Sequence, residues 1–424
     1  MHLSKRPITR LPYPRSSQSR YLAVALLYWL LGWLLAPACR RTVTLSELTS
    51  ARILVLKPCC LGDVVFATPL IRELRRALPA AHLTFAVGPH SRPAVARHPA
   101  IDRLLDTGAV GSGRYTPWEF FTLARRVRAE RFDACFVLER SALLALLPLV
   151  AGVPIRIGLD SGGRGFSLNV AVPVKPSRPE SELYLDLFRA LGGNPASGKL
   201  EYRPSEEAAT RVDRLVEARL PSDRPFVVLH RAGGANPGLV LTRKRWPTAS
   251  FRELATRILE AGATVVLVGA PEDREGAEGL TTLPSPSEMA RGESDSPRHL
   301  RAIGEGQGVR PPAPVLDLVG QLSLDELAAL ARRAAVYVGN DSGPSHLAEA
   351  AGANVVMLFG PSDPIVYGPR ARNAVALTAG FWCSPCFENG RVAPCANVLC
   401  MPSLSVDRVW NEVSRFLAGP ERAT

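Results

Sequence analysis

Acidic residues are missing from the first 41 positions of this 424-residue chain, where Lys5, Arg6, Arg10, Arg15, Arg20, Arg40 and Arg41 stand unopposed. Seven of the 12 net positive charges therefore belong to that segment, and the rest of the chain is only mildly basic. Long apolar runs are scarce too. One uncharged stretch, Tyr21–Ala38, has the length of a short membrane span. Cysteine is sparse, 8 in all. Cys39, Cys59, Cys60 and Cys135 are too scattered for a secreted disulfide framework, so a reducing compartment is the default. The globular part has no basic helix and no basic strand interleaved with aromatics, which argues against a nucleic-acid partner. With 46% apolar and 21% charged residues the chain is not disordered as a whole, and its length predicts two or three domains.

The basic, apolar N-terminal segment (residues 1–49) has several readings. A cleaved signal peptide fits poorly, because the leading region is long and no clear small-x-small site follows. A lipoprotein signal at Cys39 is opposed by Pro37. A helix over 21–38 that spans the membrane or lies in its interface suits the aromatic-rich run flanked by arginine.

From residue 52 short apolar runs alternate with helical periodicity. Strands are expected at 53–56, 83–87, 134–138 and 155–158, with helices over 64–78, 118–130 and 141–150. After a polar helix at 206–219, Pro221–Pro225 reads as a linker. A second series follows, with strands at 226–229, 264–268, 315–319, 336–338 and 355–359 and helices at 248–261 and 323–333. The second of these helices opens with the capping box Ser323-x-x-Glu326. Two such series predict an α/β protein with two facing Rossmann-like domains, 50–220 and 221–424, each with a parallel sheet and with ligands at the strand C-terminal ends. Residues 281–314 hold six Pro, four Gly and four Ser without apolar periodicity and read as a flexible insertion.

Three segments at strand ends carry chemistry. In Lys57-Pro-Cys-Cys-Leu-Gly62-Asp63, Asp63 could cap the next helix or project into the cleft as a general base. In His230-Arg-Ala-Gly233-Gly234, the glycines let backbone approach a ligand, and Arg243-Lys244-Arg245 would attract phosphate. In Asn340-Asp341-Ser342-Gly343-Pro344-Ser345-His346, a capped helix start could bind a diphosphate, or could be a capped helix and nothing more. The late cysteines Cys383, Cys386, Cys395 and Cys400 could hold a structural zinc or form a loop of free thiols.

Taken together in this order, these segments resemble the heptosyltransferases of glycosyltransferase family nine. The residues that carry the resemblance are Leu61-Gly62-Asp63-Val64, Lys244-x-Trp246-Pro247, Asn340-Asp341-Ser342-Gly343-Pro344-x-His346 and Leu358-Phe359-Gly360-Pro361-Ser362-Asp363-Pro364. The cysteine-rich tail over 383–400 is also similar to that of many members.

The resemblance implies a GT-B inverting glycosyltransferase, with an acceptor domain over 50–220 and a nucleotide-sugar domain over 221–424. Asp63 would be the base and Lys244 would neutralise the departing diphosphate. Ser342 and Gly343 would bind phosphate, and Asp341 and His346 would hold the nucleotide end. Asp273, or Glu272 in its place, would bind the ribose. No catalytic metal or other cofactor is expected. The implied partners are a nucleotide diphosphate sugar, ADP-heptose in the leading reading, and an anionic lipid-linked glycan such as the lipopolysaccharide core. The implied location is the cytoplasmic side of the inner membrane. A relative using another sugar nucleotide and a catalytically silent binding module are the alternatives. Pro58-Cys59-Cys60 departs from the small or polar residues usual before Leu-Gly-Asp.

Overall fold

The computed structural model describes residues 40–113, 115–236, 239–274, 315–388 and 397–419, together with Leu30, Leu34, Cys39, Arg391, Val392 and Cys395. The helix expected over 21–38, apart from Leu30 and Leu34, and the insertion 281–314 lie outside them. Among the described residues no helix is long and apolar enough to cross a membrane.

Two six-stranded sheets, parallel throughout, organise the chain. The first contains β1 (Arg52–Leu56), β2 (His82–Val87), β3 (Arg103–Asp106), β4 (Ala134–Val137), β5 (Ile155–Asp160) and β6 (Val170–Pro173) in the order 3-2-1-4-5-6. The second contains β7 (Phe226–His230), β8 (Thr264–Val268), β9 (Val315–Asp317), β10 (Val336–Asn340), β11 (Val355–Phe359) and β12 (Ala374–Thr378) in the equivalent order 9-8-7-10-11-12. Each order reverses at one point, between β1 and β4 and between β7 and β10. Crevices for ligands open there, beyond the strand C-terminal ends.

The central strands are continuous apolar runs because both faces are covered. In β1, Ile53 and Val55 face one core while Leu54 and Leu56 face the other. In β7, Val227 and Leu229 face one core and Phe226 and Val228 the other. The two-domain parallel architecture expected from the alternating pattern is therefore present. Leu347, Ala350 and Ala351 from the second half complete the first half's core, so the halves are packed against each other.

The helix expected over 64–78 is two helices, α1 (Leu61–Phe66) and α2 (Thr68–Ala77). Pro69 has no N–H to give the Val65 carbonyl, which breaks the ladder. The Thr68 hydroxyl donates to that carbonyl instead, at 2.8 Å. Further helices are α3 (Pro117–Ala129), α4 (Ala142–Val150), α5 (Glu180–Arg189), α6 (Glu206–Arg219), α7 (Thr248–Glu260), α8 (Leu324–Arg333), α9 (Gly343–Ala350), the single turn α10 (Pro364–Tyr367) and α11 (Val406–Leu417). Helix α8 starts at the expected capping box: Ser323 Oγ accepts from Glu326 N, and Ser323 N donates to Glu326.

Candidate active site

At the crevice of the first sheet, β1 delivers Lys57 and then α1, whose first turn carries Asp63. Cys60, bonded to the adjacent Cys59, is the N-cap of α1 and gives no side-chain cap. Glu139 and Arg140 follow the end of the neighbouring strand β4. The Lys57 ammonium is 4% exposed as a residue and lies between two carboxylates, 3.0 Å from Asp63 Oδ2 and 2.8 Å from Glu139 Oε1. Burial opposes its charge, but Asp63 and Glu139 outweigh burial and raise its pKa. Burial pushes the Glu139 carboxyl up, and the attraction of Lys57 only partly offsets this. Arg140 pairs with Glu180 at the start of α5, and its charge acts against the burial that pushes up the Tyr367 phenol of α10 in the other half.

At the crevice of the second sheet, Asn340 ends β10 and fastens three segments. Its Oδ1 accepts from Trp246 N at 2.9 Å, while its Nδ2 donates to the carbonyls of Arg231 and Ala232 at 2.8 and 2.9 Å. Trp246 is itself buried and donates to Leu404 O. These bonds hold the Gly233-Gly234 turn beside the start of α9. Gly233 has φ of +123°, and a Cβ there would come within 2.9 Å of Ser342 Cβ, so glycine is needed for both conformation and approach.

Asp341, 3% exposed, accepts from Lys244 Nζ at 2.6 Å, His346 Nε2 at 3.0 Å and Ser362 Oγ at 2.5 Å. Burial alone would raise its pKa. Lys244, and then His346, hold the carboxyl far below the usual range. Lys244 also lies 4.7 Å from the centre of the Phe387 ring.

The residues proposed from sequence thus fall into three places. Lys244, Asp341 and His346 form one buried cluster, with Ser342 and Gly343 at the adjoining N-terminus of α9. Ser342 is the N-cap but makes no side-chain cap bond. Gly233 and Gly234 flank this cluster. Asp273 sits at the end of β8 in the turn Pro271–Asp273, where Oδ2 accepts from Ala270 N at 2.9 Å and its carbonyl accepts from Arg231. Glu272 on the same turn is exposed. Leu229, Arg231, Leu267, Asp273 and Val319 line a depression there. Asp63 lies across the domain junction in the first crevice.

The two crevices adjoin because α1 packs on α9. The Phe66 and His346 rings are 4.6 Å apart, a Cβ on Gly62 would lie 3.0 Å from His346 Cδ2, and one on Gly343 would clash with Leu61. Tyr367 joins the two sites, with Lys244 5.9 Å from its ring centre and its phenol within the influence of the Arg140 charge.

Lys57, Glu139, Arg140, Glu180, Ser362 and Tyr367 were not among the sequence candidates. Lys57 and Glu139 carry a usable signal, since each stands just after a central strand and on opposite sides of the order reversal. As for the zinc reading, Cys383, Cys395 and Cys400 are free thiols. Among the described residues no group of three or more His, Cys, Asp or Glu is placed to hold a metal ion, so the tetrahedral thiolate set has no support.

The chain is similar in sequence to lipopolysaccharide heptosyltransferase 2 of Escherichia coli K12, 28% identical over 344 residues that cover 78% of this chain and 89% of the relative. In structure it is similar to a glycosyl transferase family 9 protein from Veillonella parvula, with a TM-score of 0.69, 21% identity and coverage of 88% and 98% of the two chains. It is also similar to E. coli ADP-heptose lps heptosyltransferase II, with a TM-score of 0.64, 23% identity and coverage of 87% and 99%. Both structural likenesses show the shared two-domain fold. The model of glycosyltransferase family 9 (heptosyltransferase) matches residues 120–291 and 292–397, and the chain belongs to that family.

Proposed function

We propose that this enzyme transfers heptose from ADP-heptose to the lipopolysaccharide core with inversion at the anomeric carbon. The observation that carries the reading is the junction of the two crevices, where Asp63 and the Lys244–Asp341 cluster face one another across the α1–α9 contact. Family membership and the names of the relatives support the heptose donor and the core acceptor.

In this mechanism the acceptor lies against residues 50–220 and the nucleotide sugar against residues 221–424. Asp63 Oδ2 is held by Lys57, and Oδ1 has no partner among the described residues, so it can take the proton of the acceptor hydroxyl as that oxygen attacks. The electron pair of the anomeric C–O bond leaves with ADP. Lys244 and the free N–H groups of Ser342 and Gly343 at the start of α9 balance the charge that grows on the diphosphate. Asp341 and His346 fix Lys244 and the helix start, and Gly233 and Gly234 let backbone come close to phosphate. Asp273, with exposed Glu272 as its substitute, would receive the ribose hydroxyls. These parts need no metal to stabilise the leaving group.

The same reading puts the enzyme at the cytoplasmic face of the inner membrane, where an anionic surface would attract the basic segment 1–49 and its apolar stretch 21–38. Purified protein incubated with ADP-heptose and core acceptors should release ADP and add one heptose to the acceptor, read by mass spectrometry. Transfer from a different sugar nucleotide alone would overturn the heptose reading. Asp63→Asn should abolish transfer with ADP affinity nearly intact.

A further inference from the structure

One cation in the first crevice serves two carboxylates. Lys57 Nζ is 3.0 Å from Asp63 Oδ2 and 2.8 Å from Glu139 Oε1, and its side chain is 5% exposed, so solvent screens neither contact well. A base that owned such an ammonium alone would be held in its charged form and would accept a proton poorly. Glu139 changes that balance, because it lies on the same ammonium and carries the opposite charge.

We propose that Glu139 is a positioning residue for the reaction: by sharing the Lys57 ammonium with Asp63, it divides the pull of that ammonium and holds Asp63 through one oxygen while the other stays available to the acceptor hydroxyl. The inference rests on the reading of Asp63 as the base.

The surrounding groups leave this task to Lys57 and Glu139. Arg140, next in the chain, is taken by Glu180 of α5. Tyr184 of α5 is buried with an unpartnered hydroxyl, and Tyr115, before α3, senses the Glu139 charge. His346 of α9 reaches the Gly62 side of α1, and its Nε2 is committed to Asp341. Glu180 adds negative potential at Glu139 and Lys57 but has Arg140 as its own partner. The Glu139 carboxylate is therefore the group that touches Lys57 opposite Asp63.

The test compares wild type, Glu139→Gln and Glu139→Asp in the transfer assay between about pH 3 and 9, a range that includes the ordinary carboxylate limb, with ADP affinity measured by titration. Glu139→Gln keeps size and hydrogen bonding but removes the charge, so Asp63 then faces an undivided ammonium. The expected result is a kcat about 10- to 100-fold lower with ADP affinity and donor KM unchanged. The acid limb of kcat/KM should move about one unit to lower pH. Glu139→Asp, which keeps the charge at a longer reach, should lie between the two and rescue part of kcat. A Glu139→Gln enzyme with wild-type kcat and limb, or with a limb moved to higher pH, overturns the inference. If Glu139→Gln does not fold, Glu139→Asp decides: a limb and kcat identical to wild type overturn it. A wild type that transfers nothing, or an Asp63→Asn enzyme that keeps its turnover, sinks the underlying reading and this inference with it.

Discussion

The Lys244 ammonium lies 2.6 Å from Asp341 Oδ2, and the carboxylate that holds it is buried together with His346 and Ser362. A buried pair of this kind contributes little over an apolar replacement, but removing one partner strands the other. Asp341→Asn should therefore cost about 3–5 kcal/mol of stability, read as a lower urea midpoint. Transfer should also fall, because Lys244 is no longer held at the start of α9. A variant with unchanged midpoint and turnover would show that the cluster is not what orders this crevice.

Asn340 offers a sharper test, since its amide both donates and accepts. Asn340→Asp keeps the shape but turns a carboxylate oxygen toward the carbonyls of Arg231 and Ala232, which lie 2.8 and 2.9 Å from Nδ2. It should destabilise by about 2–4 kcal/mol, at least as much as Asn340→Ala, and should weaken ADP binding through the displaced Gly233-Gly234 turn. Equal stability of Asn340→Asp and wild type in thermal melts would contradict this account.

Gly62 stands next to the proposed base and against the other half. A Cβ there would lie 3.0 Å from His346 Cδ2, and His346 is wedged between Phe66 and Asp341 with little room to yield. Gly62→Ala should cost about 1–2 kcal/mol and lower kcat more than donor KM, while Gly62→Val should separate α1 from α9. Calorimetry and steady-state kinetics on the two variants check the order.

Most of this frame was legible in the sequence because buried central strands announce themselves. Phe226–His230, Thr264–Val268 and Val355–Phe359 are wholly buried and stand out as apolar runs bounded by turns. The strands that sequence reading missed, Arg103–Asp106, Val170–Pro173 and Ala374–Thr378, are sheet edges whose half-exposed residues alternate too weakly to register. The site divides in the same way. Asp63, Lys244 and Asp341 sit in motifs, and their neighbourhood could be guessed. The pairing of Lys57 with Glu139 spans 82 positions and exists only because β1 and β4 are adjacent. The Arg140 charge acts on Tyr367 from the other half, a relationship that no local pattern encodes.

Two buried histidines give the protein a built-in acid sensitivity. Burial pushes His230 down to about 4, against the partial opposition of Asp273, and pushes His98 down to about 4, against that of Glu201; both start from 6.5. His230 Nδ1 and His98 Nε2 have no hydrogen-bond partner, so a proton on either ring would be poorly housed. The unfolded chain binds those protons first. Between pH 6.5 and about 4 it therefore holds more protons than the folded chain, and stability falls as the pH drops through that window. Above pH 6.5 the contribution of both rings is fully present. Replacing both with glutamine removes the titrating groups, so the double variant should start less stable at pH 7 but lose less of its stability on going to pH 4.5. Urea unfolding at both pH values measures the difference, and equal losses in wild type and variant would assign the acid sensitivity to other groups.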